Sequence, residues 1–155
     1  MTASTPGSDL TDADRASLRA LVDGYADAVD RRDGPALRDL FTDDGAVLVQ
    51  AEGGPVETEW GGSDIPGLLE TVAGYERTFH HVGGCVVEPD GAAVTGRSQC
   101  LAHHYERTGN GPVDLVMMVR YHDRFVRTPA GWRIARRRVA VEWTELHPAH
   151  PRRRS

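Results

Sequence analysis

Apolar positions Leu18, Leu21, Val22, Tyr25 and Val29 recur at helical spacing, behind a Thr11…Asp14 pair that forms a capping box with aspartate in place of glutamate. The pattern predicts a helix over residues 12–31. Asp33, with Pro35 in the first turn, predicts a second short helix that buries Leu37, Leu40 and Phe41 and ends before "TDDG". "AVLVQA" then reads as a short strand and "VETEW" as its hairpin partner. Ser63 is placed to cap a third helix carrying Ile65, Leu68, Leu69, Val72 and Tyr75. From residue 78 the pattern changes to long strands at 78–88, 92–107, 113–127 and 132–145, divided by "EPDG", "TGNGP" and "TPAG". Helices first and a meander afterwards predict an α+β fold, with helices packed on one face of a curved, mostly antiparallel sheet. Such a layer leaves a pocket between helices and sheet.

Two histidine doublets lie in this meander, His80-His81 and His103-His104. Successive strand residues point to opposite faces, so each doublet supplies one inward and one outward imidazole. If "EPDG" is a two-residue loop, Glu88 pairs with Gly91, His80 faces Gln99 and His81 faces Ser98. His80 and His103 are then the inward pair, and His81 and His104 the outward one. Four residues of strand separate the inward rings by roughly 13 Å, so they address two ends of a ligand. This assumes no bulge; a single bulge would exchange one pair, and Gly96 is a residue able to host it. The glycines of "VGG" and "EGG" read as turn formers, since no helix follows them in a phosphate-binding unit.

Length and composition narrow the chemistry. At 155 residues the chain is one domain, with residues 1–10 and the proline-broken tail 147–155 expected to be disordered. All 18 basic residues are arginine, which removes lysine Schiff-base chemistry and a lysine-held pyridoxal cofactor. A net charge of −5 argues against a nucleic-acid binder. No metal-ligand spacing occurs, so neither cofactor nor metal is expected. No apolar run suits a membrane span and the start lacks a signal peptide's character, which together suggest a cytoplasmic protein. Cys85 falls opposite about Val94, so it and Cys100 are expected as free thiols. In "GWRIARRRV", Arg136 and Arg138 share one face and Arg133 and Arg137 the other, read as a solvated or interface ladder.

The stretches "YADAVDRRDGPALRDLFTDDGAV", "RTFHHVGG" and "YHDRFVRTPAGWRIARRRV" resemble the SnoaL-like and scytalone dehydratase branch of the nuclear-transport-factor-two-like superfamily, over about residues 11–146. The resemblance implies a cone-shaped α+β barrel, commonly dimeric or trimeric, and a homodimer through the convex sheet face is expected. Among dehydratases of this family an aspartate closes the first helix, one histidine precedes the Gly-Gly, and another comes late in the next strand; here those positions are Asp30, His80 and His103. The tyrosines of that pattern are replaced by Val29 and Val49, and an asparagine by Tyr121. Tyr25, Tyr105, Met117, Tyr121 and Trp143 are expected to line the substrate pocket, with Tyr121 as the hydroxyl that shares a face with Leu115, Met117 and Val119. Asp30 would orient an imidazole that moves a proton on a small apolar oxygenated metabolite, as in dehydration, isomerisation or cyclisation. The competing reading is a non-catalytic ligand-binding or subunit-type member. An epoxide hydrolase's Asp-Arg-Asp arrangement does not assemble from this sequence.

Overall fold

The computed structural model describes residues 10–150 and residue 152. The expectations for the extreme N-terminus and for the last residues of the tail lie outside them. Helix α1, Asp12–Arg31, begins at the expected capping box: Thr11 accepts from the Asp14 amide, and the Asp14 carboxylate accepts from the Thr11 amide. The same carboxylate accepts from the Trp132 indole at 2.9 Å and pairs with Arg127, so the cap also ties α1 to the last hairpin. The helix ends at Arg32, a non-glycine residue in the left-handed region with φ 57. That conformation costs about 1–2 kcal/mol. The Arg32 side chain offsets it by donating to the Val29, Asp30 and Val72 carbonyls and to the Thr78 hydroxyl.

Helix α2, Gly34–Asp39, is capped by Asp33. Phe41, expected in that helix, instead opens strand β1, Phe41–Ala51, which runs through "TDDG". Its hairpin partner is β2, Val56–Gly61. The expected third helix is a 3-10 helix, Gly62–Thr71, with no side-chain cap from Ser63. Pro66 inside it lacks the amide that an α-helical ladder needs. Tyr75 lies beyond it, in the connection to the meander.

The four meander strands are β3, Arg77–Asp90, β4, Ala93–Thr108, β5, Gly111–Thr128, and β6, Gly131–Pro148. The last strand therefore extends into what was expected to be tail. Sheet order is β2-β1-β6-β5-β4-β3, parallel between β1 and β6 and antiparallel elsewhere, an open mixed sheet with helices on its concave face. No helix among the described residues is long and apolar enough to cross a membrane.

Two features of the register differ from the expected pairing. The first hairpin loop is Gly91-Ala92, not Pro89-Asp90: Asp90 pairs with Ala93, and Gly91 has φ 61, at the loop position that a II′ turn reserves for glycine. This moves Glu88 from Gly91 to Thr95, an even shift that leaves the faces unchanged. A one-residue slip then falls between Val82 and Cys85, at Gly83-Gly84. It exchanges the faces of everything beyond it, so His80 pairs with Ala102. The glycines expected to form a turn thus form an irregularity inside a continuous strand. Arg19 of α1 donates to the Gly83 and Val82 carbonyls there, at 2.9 and 3.3 Å. Gly96 is regularly paired, and its missing side chain makes room for Phe125, whose Cε2 lies 2.6 Å from where a Cβ would stand.

The arginine run departs from a solvated ladder at Arg137, while Arg136 is exposed. Arg137 is 0% exposed, held by two 2.7 Å hydrogen bonds to the Asp123 carboxylate across the β5–β6 pair. Its guanidinium carbon lies 4.2 Å from the Tyr25 ring centre and 4.3 Å from that of Tyr121. Burial works against its charge, and the adjoining Asp123 outweighs that, keeping the guanidinium firmly protonated. A second register shift, between Arg124 and Phe125, turns Arg133 away from the face of Arg137. Removing one partner of such a pair strands a buried charge, at about 3–5 kcal/mol, whereas replacing both with apolar groups is often near neutral. Arg137→Met should therefore lower urea stability sharply and Asp123→Leu/Arg137→Met should recover most of it; a double variant no better than the single one would refute this account.

Candidate active site

Helix α1, the 3-10 helix and residues from all six strands line a cavity of about 410 Å³. Val29, Leu68, Met117, Val119 and Val139 make most of its wall apolar, and Tyr25, Tyr75, His80, His104 and Tyr121 bring polar groups to it. Met117, Tyr25 and Tyr121 stand where the alternation places them. Tyr105 and Trp143 do not. Tyr105 follows the Gly83-Gly84 slip to the convex face with the other odd-numbered residues of β4. Trp143 is 53% exposed, because Val119 pairs with Val141 while Met118 pairs with Trp143, leaving Glu142 as the extra residue that rotates the strand. Thr144 takes the inward place.

The slip corrects the histidine assignment. His80 is inward as expected, and its partner across the cavity is His104, not His103. The two rings stand edge to face with centroids 5.7 Å apart, far closer than the spacing inferred from a straight strand. His104 is 4% exposed, while the His103 side chain is 40% exposed on the convex side. There His103 Nδ1 contacts Asp114 Oδ2 at 2.7 Å, and the other Asp114 oxygen accepts from the His104 amide.

His80 is fixed from α1. Its Nδ1 lies 2.7 Å from Asp30 Oδ1 and its amide donates to Asp30 Oδ2 at 2.9 Å. β3 is an edge strand, so this amide has no sheet partner on its open side and the carboxylate takes it. Thr78 donates to Asp30 Oδ1 at 2.8 Å. Arg32 in turn donates to the Thr78 oxygen at 2.6 Å, which leaves the threonine proton directed at Asp30. Partial burial works to raise the Asp30 pKa, and the hydrogen bonds from His80 and Thr78 outweigh it, so the carboxyl sits below its ordinary value. An ionised Asp30 accepts from His80 Nδ1–H and leaves Nε2 to the cavity.

His104 is in a different state. Its Nδ1 lies 3.1 Å from the Leu115 carbonyl, which can only accept, so Nδ1 carries the proton and Nε2 is a lone pair when the ring is neutral. Burial lowers its pKa, the Leu115 carbonyl opposes this, and His80 lowers it further. Tyr75 packs on the ring with centroids 4.7 Å apart. Thr78, Arg32 and Arg137 carried no readable signal in the sequence, since their partners are 40 or more residues away or lie on a facing strand. His104 was visible as half of a doublet. Among the described residues no group of three or more His, Cys, Asp or Glu is arranged to hold a metal ion, and both cysteines are free.

Two helices followed by a curved open sheet with polar groups gathered on its concave side define a nuclear-transport-factor-two-like fold, the class of solved structures that superpose on it. Residues 11–138 match the model of the SnoaL-like domain family. An uncharacterized protein of Mycobacterium tuberculosis is 30% identical over 130 residues, 81% of this chain and 83% of that protein. The chain belongs to the SnoaL-like domain family. A crystal structure of a Kribbella flavida protein matches with a TM-score of 0.75 and 26% identity, covering 86% of this chain and 94% of the other. A hexachlorocyclohexane dehydrochlorinase from Novosphingobium barchaimii matches at TM-score 0.75 over 90% and 96% of the two chains, with 18% identity, a likeness of fold.

The depressed His104 pKa has a consequence for stability. The unfolded chain takes up this proton near the ordinary value of 6.5, before the folded protein does. Stability is full above that pH and is lost as pH falls through it towards the folded value. His104→Gln should therefore remove part of the fall in the urea midpoint between about pH 7 and pH 5. An unchanged slope in the variant would assign that fall to other groups.

Proposed function

We propose that the chain is a cofactor-independent acid–base enzyme of lyase or isomerase type, acting on a small, largely apolar, oxygenated metabolite. The observation that carries this reading is the Asp30–His80 pair at the cavity wall, with Nδ1 on the carboxylate and Nε2 left for a ligand. A neutral imidazole removes a proton at Nε2, and the ionised Asp30 stabilises the imidazolium that results. The proton then returns to another atom of the substrate, which gives a double-bond shift, or to a leaving hydroxyl, which gives elimination of water. His104, with its Nε2 lone pair a ring's width away, accepts a hydrogen bond from the substrate and orients it. That a dehydrochlorinase shares the fold supports the lyase side of this reading. Asp30 and His80 keep the roles expected for them, and His104 takes the place expected of His103.

The convex face supports assembly as a homodimer, since Phe79, Leu101 and Trp143 are exposed there. Leu101→Glu/Trp143→Glu should then give a monomer by light scattering at micromolar concentration; a wild-type protein already monomeric there would end the dimer proposal.

Catalysis is tested by deuterium exchange at the carbons next to the carbonyl of 2-tetralone in heavy water. Wild-type protein should accelerate it. Asp30→Asn and His80→Ala should each lose about 10²-fold with cooperative folding retained. His81→Ala and His103→Ala, on the convex face, should stay within a few-fold of wild type. Equal losses in His80→Ala and His81→Ala would make the effect structural, and no acceleration by folded wild-type protein would favour a ligand-binding role.

A further inference from the structure

Two proton placements are open to the Asp30–His80 pair. Either the carboxylate is ionised and His80 Nδ1 holds the hydrogen, which leaves Nε2 as a lone pair, or the carboxyl holds it and Nε2 carries a hydrogen instead. Only the first presents a base to a ligand. The groups around Asp30 decide between them. Oδ1 meets the Thr78 hydroxyl at 2.8 Å as well as the imidazole at 2.7 Å, and Oδ2 meets the His80 amide at 2.9 Å. A proton on Oδ2 would oppose the amide, and one on Oδ1 would weaken that oxygen as an acceptor for Thr78. The amide cannot reverse, whereas a threonine hydroxyl both donates and accepts. Arg32 removes that freedom: its Nη1 lies 2.6 Å from Thr78 Oγ1, and a guanidinium only donates. Arg32 is itself held, because its left-handed backbone folds the side chain back over the end of α1, where it also donates to the Val29, Asp30 and Val72 carbonyls. Thr78 stands two residues before His80 on β3, so the two share a face. The chain from Arg32 through Thr78 and Asp30 to His80 thus has its direction set at its origin.

We propose that Thr78 and Arg32 are positioning residues: by directing a second hydrogen at Asp30 Oδ1 they keep the shared proton on His80 Nδ1, and so hold the ring as the tautomer whose Nε2 faces the cavity as an acceptor. The use of that Nε2 as a base rests on the acid–base reading above; the placement of the proton does not. Neither residue is among those that line the cavity, so both act through Asp30. With Asp30 they border an outer recess, together with the exposed Glu70, Glu76 and Arg77. Water reaches Asp30 from that side, and a hydroxyl of fixed direction outcompetes a passing donor. On the cavity side the pair is faced by His104. Burial works to raise the Asp30 pKa, and the bond from Thr78 is one of those that bring it below its ordinary value, so loss of the hydroxyl raises it.

The test reads the ring nitrogens of nitrogen-15-labelled histidine by NMR, with the His80 signals assigned by their loss in His80→Ala. Wild-type protein at about pH 8 should show Nδ1 protonated and Nε2 bare. Thr78→Val keeps the shape and removes the hydroxyl. It should bring the Nε2–H form up to a comparable population, raise the titration midpoint of the Asp30 carboxyl followed by carbon-13, and slow 2-tetralone exchange about tenfold, the equivalent of one hydrogen bond. Thr78→Ser, which keeps the hydroxyl, should restore all three. Arg32→Gly suits the left-handed backbone and frees the hydroxyl to turn, so it should give the same changes in smaller measure. Wild-type His80 found as the Nε2–H form, a tautomer and an Asp30 midpoint both unmoved by Thr78→Val, or no restoration by Thr78→Ser would each overturn the inference. A Thr78-dependent tautomer in a protein without exchange activity supports the positioning and refutes the acid–base reading; exchange activity with an unmoved tautomer does the reverse.

Discussion

The docking of α1 along the open edge of β3 governs the site. An edge strand offers amides and carbonyls that no neighbouring strand satisfies, and unpaired backbone groups are costly away from water. Arg19 takes the Val82 and Gly83 carbonyls where the ladder slips, and Asp30 takes the His80 amide three residues earlier. One helix therefore stabilises the slip and, with the same register, seats the imidazole that the slip has aimed. Gly83-Gly84 makes this possible because neither position has a side chain to be displaced.

A second buried arrangement meets α1 at Tyr25. The Asp123–Arg137 pair would be expensive as two isolated charges, yet each has a bidentate partner and Arg137 has an aromatic ring on both faces. It joins β5 and β6 to the helix through Tyr25 without filling the cavity. The apolar core around it includes Leu18, Val22, Phe125 and Ile134, and it leaves the concave wall free between the two polar anchors.

Between those anchors the two imidazoles are made unequal by their Nδ1 partners. His80 has a carboxylate on Nδ1, whereas His104 has a backbone carbonyl there and a burial that favours its neutral form. Chemical asymmetry of this kind, inside an apolar wall, is what distinguishes the cavity from a simple hydrophobic sleeve. The SnoaL-like family relation accounts for the fold that brings these groups together, and the roles proposed for them are argued from their surroundings.

The sequence by itself determined the elements and their order. Leu18 through Val29 could only bury one stripe of a helix, and the strands alternate strongly enough to be found with their turns, to within a few residues at most ends. It also marked His80, Tyr25, Met117 and Tyr121 as facing a common interior, while Asp30 was singled out by the family resemblance. What it did not determine was register. Strand period is two, so Gly83-Gly84 and Glu142, each a one-residue irregularity, exchanged His103 for His104 and turned Tyr105 and Trp143 outward. Nor could the string "RRR" say which arginine is buried, because that depends on Asp123 standing across from Arg137 in the folded sheet. Local pattern measures how a residue suits its own element; a face, a partner and a charge state are set by contacts between elements, and these exist only in the tertiary structure.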